Sequence, residues 1–231
     1  LGRDGSLRPV PGTLSLVDAV DATGVVVAPG SVAEASLLHR HRVRAAPDLR
    51  ILVDAMKAEA PWPLPPDDPV PPPGVAPADL ADVRGHPFGR MAVEVAATGG
   101  HHLLMVGPPG GGKTMLAQRL PGLLPDLDDA QALETTRVHS AAGLGLPGGL
   151  VRRPPLRAPH HTISQAAMVG GGAGRVRPGE ISLAHGGVLF LDELGEFPAS
   201  VVDSLRQPLE EAVIRVHRAE SRVNLPARFQ L

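Results

Sequence analysis

Cysteine and tyrosine are absent from this 231-residue chain, and aromatic residues make up 2% of it. Without cysteine there is no disulfide framework and no thiolate metal site. No apolar run reaches the roughly 18 residues that a membrane-spanning helix needs. The expectation is therefore a soluble, cytoplasmic protein. A dominant charge is missing too: 22 Lys and Arg against 24 Asp and Glu leave a formal charge of −2. Any binding to nucleic acid then has to come from a local basic surface, not from a global field. The opening LGRDGSLRPV has neither an initiator Met nor a signal pattern, which reads as the interior of a longer protein.

What is abundant is glycine, with 27 residues, and proline, with 26. Proline concentrates between Pro61 and Pro77 (PWPLPPDDPVPPPGVAP), where neither a helix nor a central strand can persist, so residues 61–80 read as a stiff linker. Residues 1–60 read as a small α/β piece. It has a buried strand in TGVVVAPG, a helix over SVAEASLLHR with Ser31 as N-cap, and an amphipathic helix over DLRILVDAMKAEA. Residues 81–231 change to strands followed by helices, the pattern of a parallel sheet with flanking helices. DVRGHPFGRMAVEVAATGG reads as a loop and a helix stopped by paired glycines, and HLLMVG as a buried strand. GVLFLDE reads as a second buried strand, ASVVDSLRQPLEEA as a helix bent or split by Pro208, VIRVHRAESRVNL as a hairpin and ARFQL as the start of another central strand.

GPPGGGKT, covering Gly107, Pro108, Pro109, Gly110, Gly111, Gly112, Lys113 and Thr114, satisfies the P-loop pattern where the mechanism requires it, after a strand and opening a helix. Glycines let successive N–H groups face an anion, and the helix N-terminus adds partial positive charge there. Lys113 is expected to reach the β- and γ-phosphates of ATP, and the Thr114 hydroxyl to bind a Mg²⁺ ion shared with them. LFLDE ends in two carboxylates at a strand's carboxyl edge, where ligands sit in open α/β sheets. Asp192 is expected to orient the magnesium, and Glu193 to act as general base on water. More chain separates Thr114 from Asp192 than the roughly thirty residues of one crossover unit. An insertion is expected in that interval, and it holds RAPHHTISQAAMVGGG.

These blocks together resemble the magnesium-chelatase-like AAA+ ATPases of the YifB/ComM group. The resemblance rests on DVRGHPFGRMAVEVAATGGHHLLMVGPPGGGKTMLAQRLPGLLP, RAPHHTISQAAMVGGG, RPGEISLAHGGVLFLDELGEF, LRQPLEEAVIRVHR and the closing NLPARFQL. GRDGSLRPVPGTL and VVVAPGSVAEASL are similar to the end of that group's Lon-protease-like domain, of ribosomal-S5-like α/β type. The position matching the Lon catalytic lysine is Leu14, so proteolysis is not implied. His86 stands where a glutamine is usual. The resemblance implies an ATP-hydrolysing motor working as a hexameric ring, acting on branched DNA in recombination and natural transformation. It also implies that the sensor asparagine, arginine finger and lid lie beyond the chain, which by itself would turn ATP over poorly. A chelatase motor subunit, or a nucleotide-binding module without turnover, are the alternatives.

Other features are open to two readings. Asp203, Arg206 and Glu210 read as a solvated helix face or a subunit contact, and Arg215, His217, Arg218 and Arg222 as an ordinary basic hairpin or a DNA-facing pore hairpin. His101 and His102 read as packing. Adjacent histidines direct their rings apart on a strand or helix, which argues against His160 and His161 sharing a metal. The RAPHH stretch, flanked by Arg152, Arg153, Arg157, Arg175 and Arg177, reads instead as a loop sensing nucleotide or substrate.

Overall fold

The computed structural model describes residues 1–64, 78–146, 149–172, 176–217 and 222–231. They fall into two units, Leu1–Pro73 with His139–Leu150, and Gly74–Val138 with Val151–Leu231.

The first unit contains α1 (Thr13–Asp18), β1 (Gly24–Val27), α2 (Val32–Ser36), β2 (Arg42–Ala45) and α3 (Leu49–Met56). The valine run of β1 pairs in parallel with β2 from Gly24↔Arg42 to Val27↔Ala45. α3 starts where the Asp48 carboxylate accepts the Ile51 N–H at 2.9 Å, an N-cap of the usual kind. Ser31 does not cap α2 with its side chain. It is buried, and its Oγ accepts the Thr13 hydroxyl at 3.2 Å. The Glu34 carboxylate accepts the Leu14 N–H at 2.7 Å and also the Ser140 hydroxyl. Arg44, on β2, places its guanidinium 4.4 Å from the ring centre of Trp62.

The second unit runs through α4 (Pro87–Gly99), α5 (Lys113–Ala117), α6 (Asp129–Ala142) as far as Val138, β3 (Leu156–Arg157), α7 (Gln165–Val169), β4 (Gly170–Gly171), β5 (Arg177–Pro178) and α8 (Glu180–Leu183). It continues through β6 (Val188–Leu189), α9 (Ala199–Asp203), α10 (Arg206–Glu211), β7 (Val213–His217) and β8 (Arg222–Pro226). β3 and β6 pair in parallel, Leu156↔Val188 and Arg157↔Leu189. On the other side of β6, Gln230 bridges Val188 in parallel, with Leu189 N–H donating to Gln230 O at 2.8 Å and Gln230 N–H to Gly187 O at 2.9 Å. Leu103 N–H donates to Leu231 O at 2.8 Å. The layer therefore runs β3, β6, the closing segment around Gln230, then the segment before the P-loop.

Two cores lie on opposite faces of this layer, as strand alternation requires. Val188 packs with Leu80, Val83, Val93 and Leu116, while Leu189 packs with Met168, Ile181, Phe197 and Val201. Gly187, just before β6, has no room for a side chain, since a Cβ there would lie 2.0 Å from Pro155 O.

Two sequence readings are corrected. HLLMVG forms no regular strand ladder: Leu103 and Met105 pack against the core, but Leu104 and Val106 are 74% and 88% exposed. A run of apolar residues does not reveal whether one face is covered or two. His101 and His102 are exposed, and His102 Nδ1 accepts the Leu231 N–H at 3.0 Å. The helix read over 199–212 as bent or split by Pro208 is split, ending as α9 and resuming as α10 across Ser204–Leu205. Pro208 lies in the first turn of α10, where its missing N–H leaves no helical bond unmade. The hairpin forms as β7 and β8, antiparallel from Val213↔Pro226 to His217↔Arg222.

Candidate active site

The P-loop turns tightly between the segment at Leu103 and α5. Gly110 and Gly112 have φ of 74° and 75°, left-handed values that a side chain would strain. Gly111 N–H donates to Pro108 O at 3.2 Å, closing the turn. The Lys113 ammonium donates to the carbonyls of Gly107 and Pro108 at 3.0 and 2.9 Å. His86, itself left-handed with φ 52°, lies beside Gly112.

β6 delivers the second half of the site. The Thr114 hydroxyl donates to Asp192 Oδ2 at 2.7 Å, and Glu193 N–H donates to Asp192 Oδ1 at 3.0 Å. Gly107, Pro109, Gly110, Gly111, Gly112, Lys113, Thr114, Met115, Asp192 and Glu193 line one cavity of about 600 Å³. Residues 78 positions apart in the chain thus meet at one mouth. Glu193 adopts φ 55°, ψ 50°, a conformation that costs a non-glycine residue about 1 kcal/mol.

The RAPHH stretch reaches the same mouth. Arg157, on β3, donates from Nε and Nη2 to the two carboxylate oxygens of Glu180 at 2.6 and 2.8 Å. That pairing raises the Arg157 pKa, against a smaller opposing effect of burial. Beyond it the chain turns, with Ile163 N–H donating to His160 O at 3.0 Å and Thr162 N–H to His160 Nδ1 at 3.3 Å. His161 Nδ1 comes 3.6 Å from Glu193 Oε2. The expectation that the two histidine rings diverge is wrong, because this is a turn and not a strand or helix: their centroids are 4.0 Å apart at 38°. His161 also meets Phe197 edge-on at 6.4 Å. No group of three or more His, Asp or Glu converges as a metal site among the described residues.

The remaining candidates lie elsewhere. Arg215 pairs with Glu211 at 2.5 Å, Arg222 is exposed, the His217 backbone closes the hairpin opposite Arg222, and Arg218 lies outside the described residues. Asp203, Arg206 and Glu210 are exposed. Arg152 pairs with Asp129 at 2.8 Å, and Arg175 lies outside the described residues. Sequence reading left the destination of His161 open. The equal offset of His161 and Glu193 from two paired strands could have found it, but only with the register known.

The family model for magnesium chelatase, subunit ChlI, matches residues 79–231. Across its whole length the chain is 49% identical, over 238 residues, to an uncharacterized protein of Mycobacterium tuberculosis. It is 42% identical to YifB of Escherichia coli over 236 residues and to competence protein ComM of Haemophilus influenzae over 237. The chain spans 46% of the length of each of these three. No helix among the described residues is long and apolar enough to cross a membrane. A parallel α/β layer carrying a P-loop, matched along 79–231, together with 42% identity along the whole chain to YifB and ComM, identifies the chain as a YifB/ComM-like member of the magnesium chelatase ChlI family of AAA+ proteins.

Proposed function

We propose that residues 81–231 form the nucleotide-binding part of an ATP-hydrolysing motor. The observation that carries this reading is the 2.7 Å hydrogen bond between Thr114 and Asp192 at the mouth of a glycine-rich turn. Both groups offer hard oxygen donors, which fits Mg²⁺. Thr114 and Asp192 would hold that ion, and bound magnesium supplies neutralisation of phosphate charge. Lys113 would turn from the Gly107 and Pro108 carbonyls to the β- and γ-phosphates, and Glu193 would take the proton of the attacking water.

In the intact protein Lys113→Ala should weaken binding of a fluorescent ATP analogue at least tenfold, the loss of one charge-assisted phosphate contact. Glu193→Gln should leave that affinity within about twofold and cut turnover by a hundredfold or more, the usual worth of a general base. Unchanged turnover in Glu193→Gln would sink the role given to Glu193.

The substrate reading extends to DNA. Its support is 42% identity along the whole chain to a protein named for competence, together with the basic residues Arg215 and Arg222 on one hairpin. We read the motor as a ring, a hexamer, in the cytoplasm. The family's own name favours a second reading, a chelatase-type motor, in which DNA leaves the ATPase rate unchanged.

A further inference from the structure

Residues 39–50, HRHRVRAAPDLR, hold four arginines and two histidines against one acid, in a chain whose net charge is −2. Neither the nucleotide site nor the hairpin uses them. The acid, Asp48, is spent on the N-cap of α3. Arg40 is engaged as well: its Nη1 donates to Asp18 O at 3.2 Å and lies 3.7 Å from the Asp18 carboxylate. The His41 Nδ1–H donates to Ala22 O at 2.6 Å. Arg42 and Arg44, both on β2, have no carboxylate within ion-pair reach among the described residues.

Strand geometry sets these two side by side, since residues i and i+2 point to one face, roughly 6.5 Å apart. A Cβ at Gly24, the partner of Arg42, would lie 3.7 Å from Arg42 Cβ, so the two share that face and Gly24 leaves it open. Val26, the partner of Arg44, is 36% exposed. The alternate positions Val25, Val27, Val43 and Ala45 are half-buried or buried. The outer face of β1 and β2 therefore carries two guanidinium groups over a low floor of glycine and valine. Beside Arg44 stands Trp62, half-buried, with its ring centre 4.4 Å from the guanidinium.

A guanidinium with no carboxylate partner presents a fork of donors that fits phosphate oxygens. Two of them at this spacing match successive phosphates of an extended nucleic-acid strand. An indole lined by a guanidinium adds a platform on which a base can stack. That combination selects among polyanions: a duplex keeps its base faces inside, and an acidic peptide or an anionic lipid has none.

We propose that the outer face of β1 and β2 binds single-stranded nucleic acid, with Arg42 and Arg44 holding phosphates and Trp62 stacking on a base. This surface is separate from the hairpin of β7 and β8, and it needs no ATP turnover.

The test uses the intact protein without nucleotide and a short fluorescein-labelled oligothymidylate, which forms no duplex. Replacing Arg42 and Arg44 together by Ala should weaken binding at least tenfold in fluorescence anisotropy. It should also flatten the plot of log K against log salt by about 1.4, two contacts at about 0.7 each. The double replacement by Lys keeps both charges on the strand and should recover that slope. Trp62→Ala should weaken binding about tenfold with the slope in place, and Trp62→Phe should recover most of the loss. On an abasic oligomer Trp62→Ala should change nothing. Unaltered affinity and slope in the double alanine variant overturn the proposal. So does a loss of the same size on duplex DNA, polyglutamate or anionic vesicles with Trp62→Ala silent, which would mark a general polyanion surface. Loss confined to Arg215→Ala with Arg222→Ala overturns it too and leaves the hairpin reading standing, and loss confined to Arg42 and Arg44 does the reverse.

Discussion

Arg157 is tied to Glu180 by two parallel hydrogen bonds, with side chains 30% and 21% exposed. Breaking a shielded pair from one side leaves an unpaired charge, and for this partly shielded one the cost is about 1–3 kcal/mol. Arg157→Met should therefore lower stability by that amount in urea denaturation, and adding Glu180→Leu should restore part of it. The pairing raises the Arg157 pKa above its already high value. Its stabilisation is fully present below the usual arginine range and fades only as pH climbs past it, so Arg157 itself adds no pH dependence near neutrality. The pair was illegible in the sequence because its partners are 23 residues apart and no local pattern joins them. The P-loop was legible for the opposite reason: its chemistry is written in eight consecutive residues. Asp192 and Glu193 stood between these extremes, readable as an acidic strand end sharing a magnesium ion with Thr114, but with nothing to show His161 beside Glu193.

At the level of elements, short strands carry the site. β3 and β6 are two residues each, and their approach depends on Gly187, where a Cβ would meet Pro155 O at 2.0 Å and Pro155 N at 2.6 Å. Both atoms are backbone, so relief requires the strands to separate. Gly187→Ala should destabilise the pairing by about 1–3 kcal/mol, as overpacking does, and should speed hydrogen exchange at Val188 and Phe190. Gly195→Ala, with nothing within 4 Å of the added methyl, is the control and should leave exchange unaltered. The hairpin and the helix at 87–99 could be read in advance because period and breakers agreed, with Gly100 left-handed at the helix end. HLLMVG could not, since its coverage depends on what packs against each face, which the run itself does not encode.

For the whole molecule, a net charge of −2 means that DNA binding depends on where the positive groups lie, not on how many there are. Under the DNA reading, replacing Arg215 and Arg222 by Ala in the intact protein should weaken binding and flatten the plot of log K against log salt by about 0.9 per lost phosphate contact. An unaltered slope in fluorescence anisotropy would assign the contacts elsewhere. Arg215 begins from an ion pair with Glu211, so Glu211→Gln should strengthen binding slightly by freeing it. The division into two units bears on how the protein can be watched. With no tyrosine and a single tryptophan, near-ultraviolet absorbance and intrinsic emission come almost wholly from Trp62, in the first unit against Arg44. The P-loop and its surroundings are spectroscopically dark, so an emission trace follows the indole beside Arg44, and events at Lys113 must be followed through a labelled nucleotide.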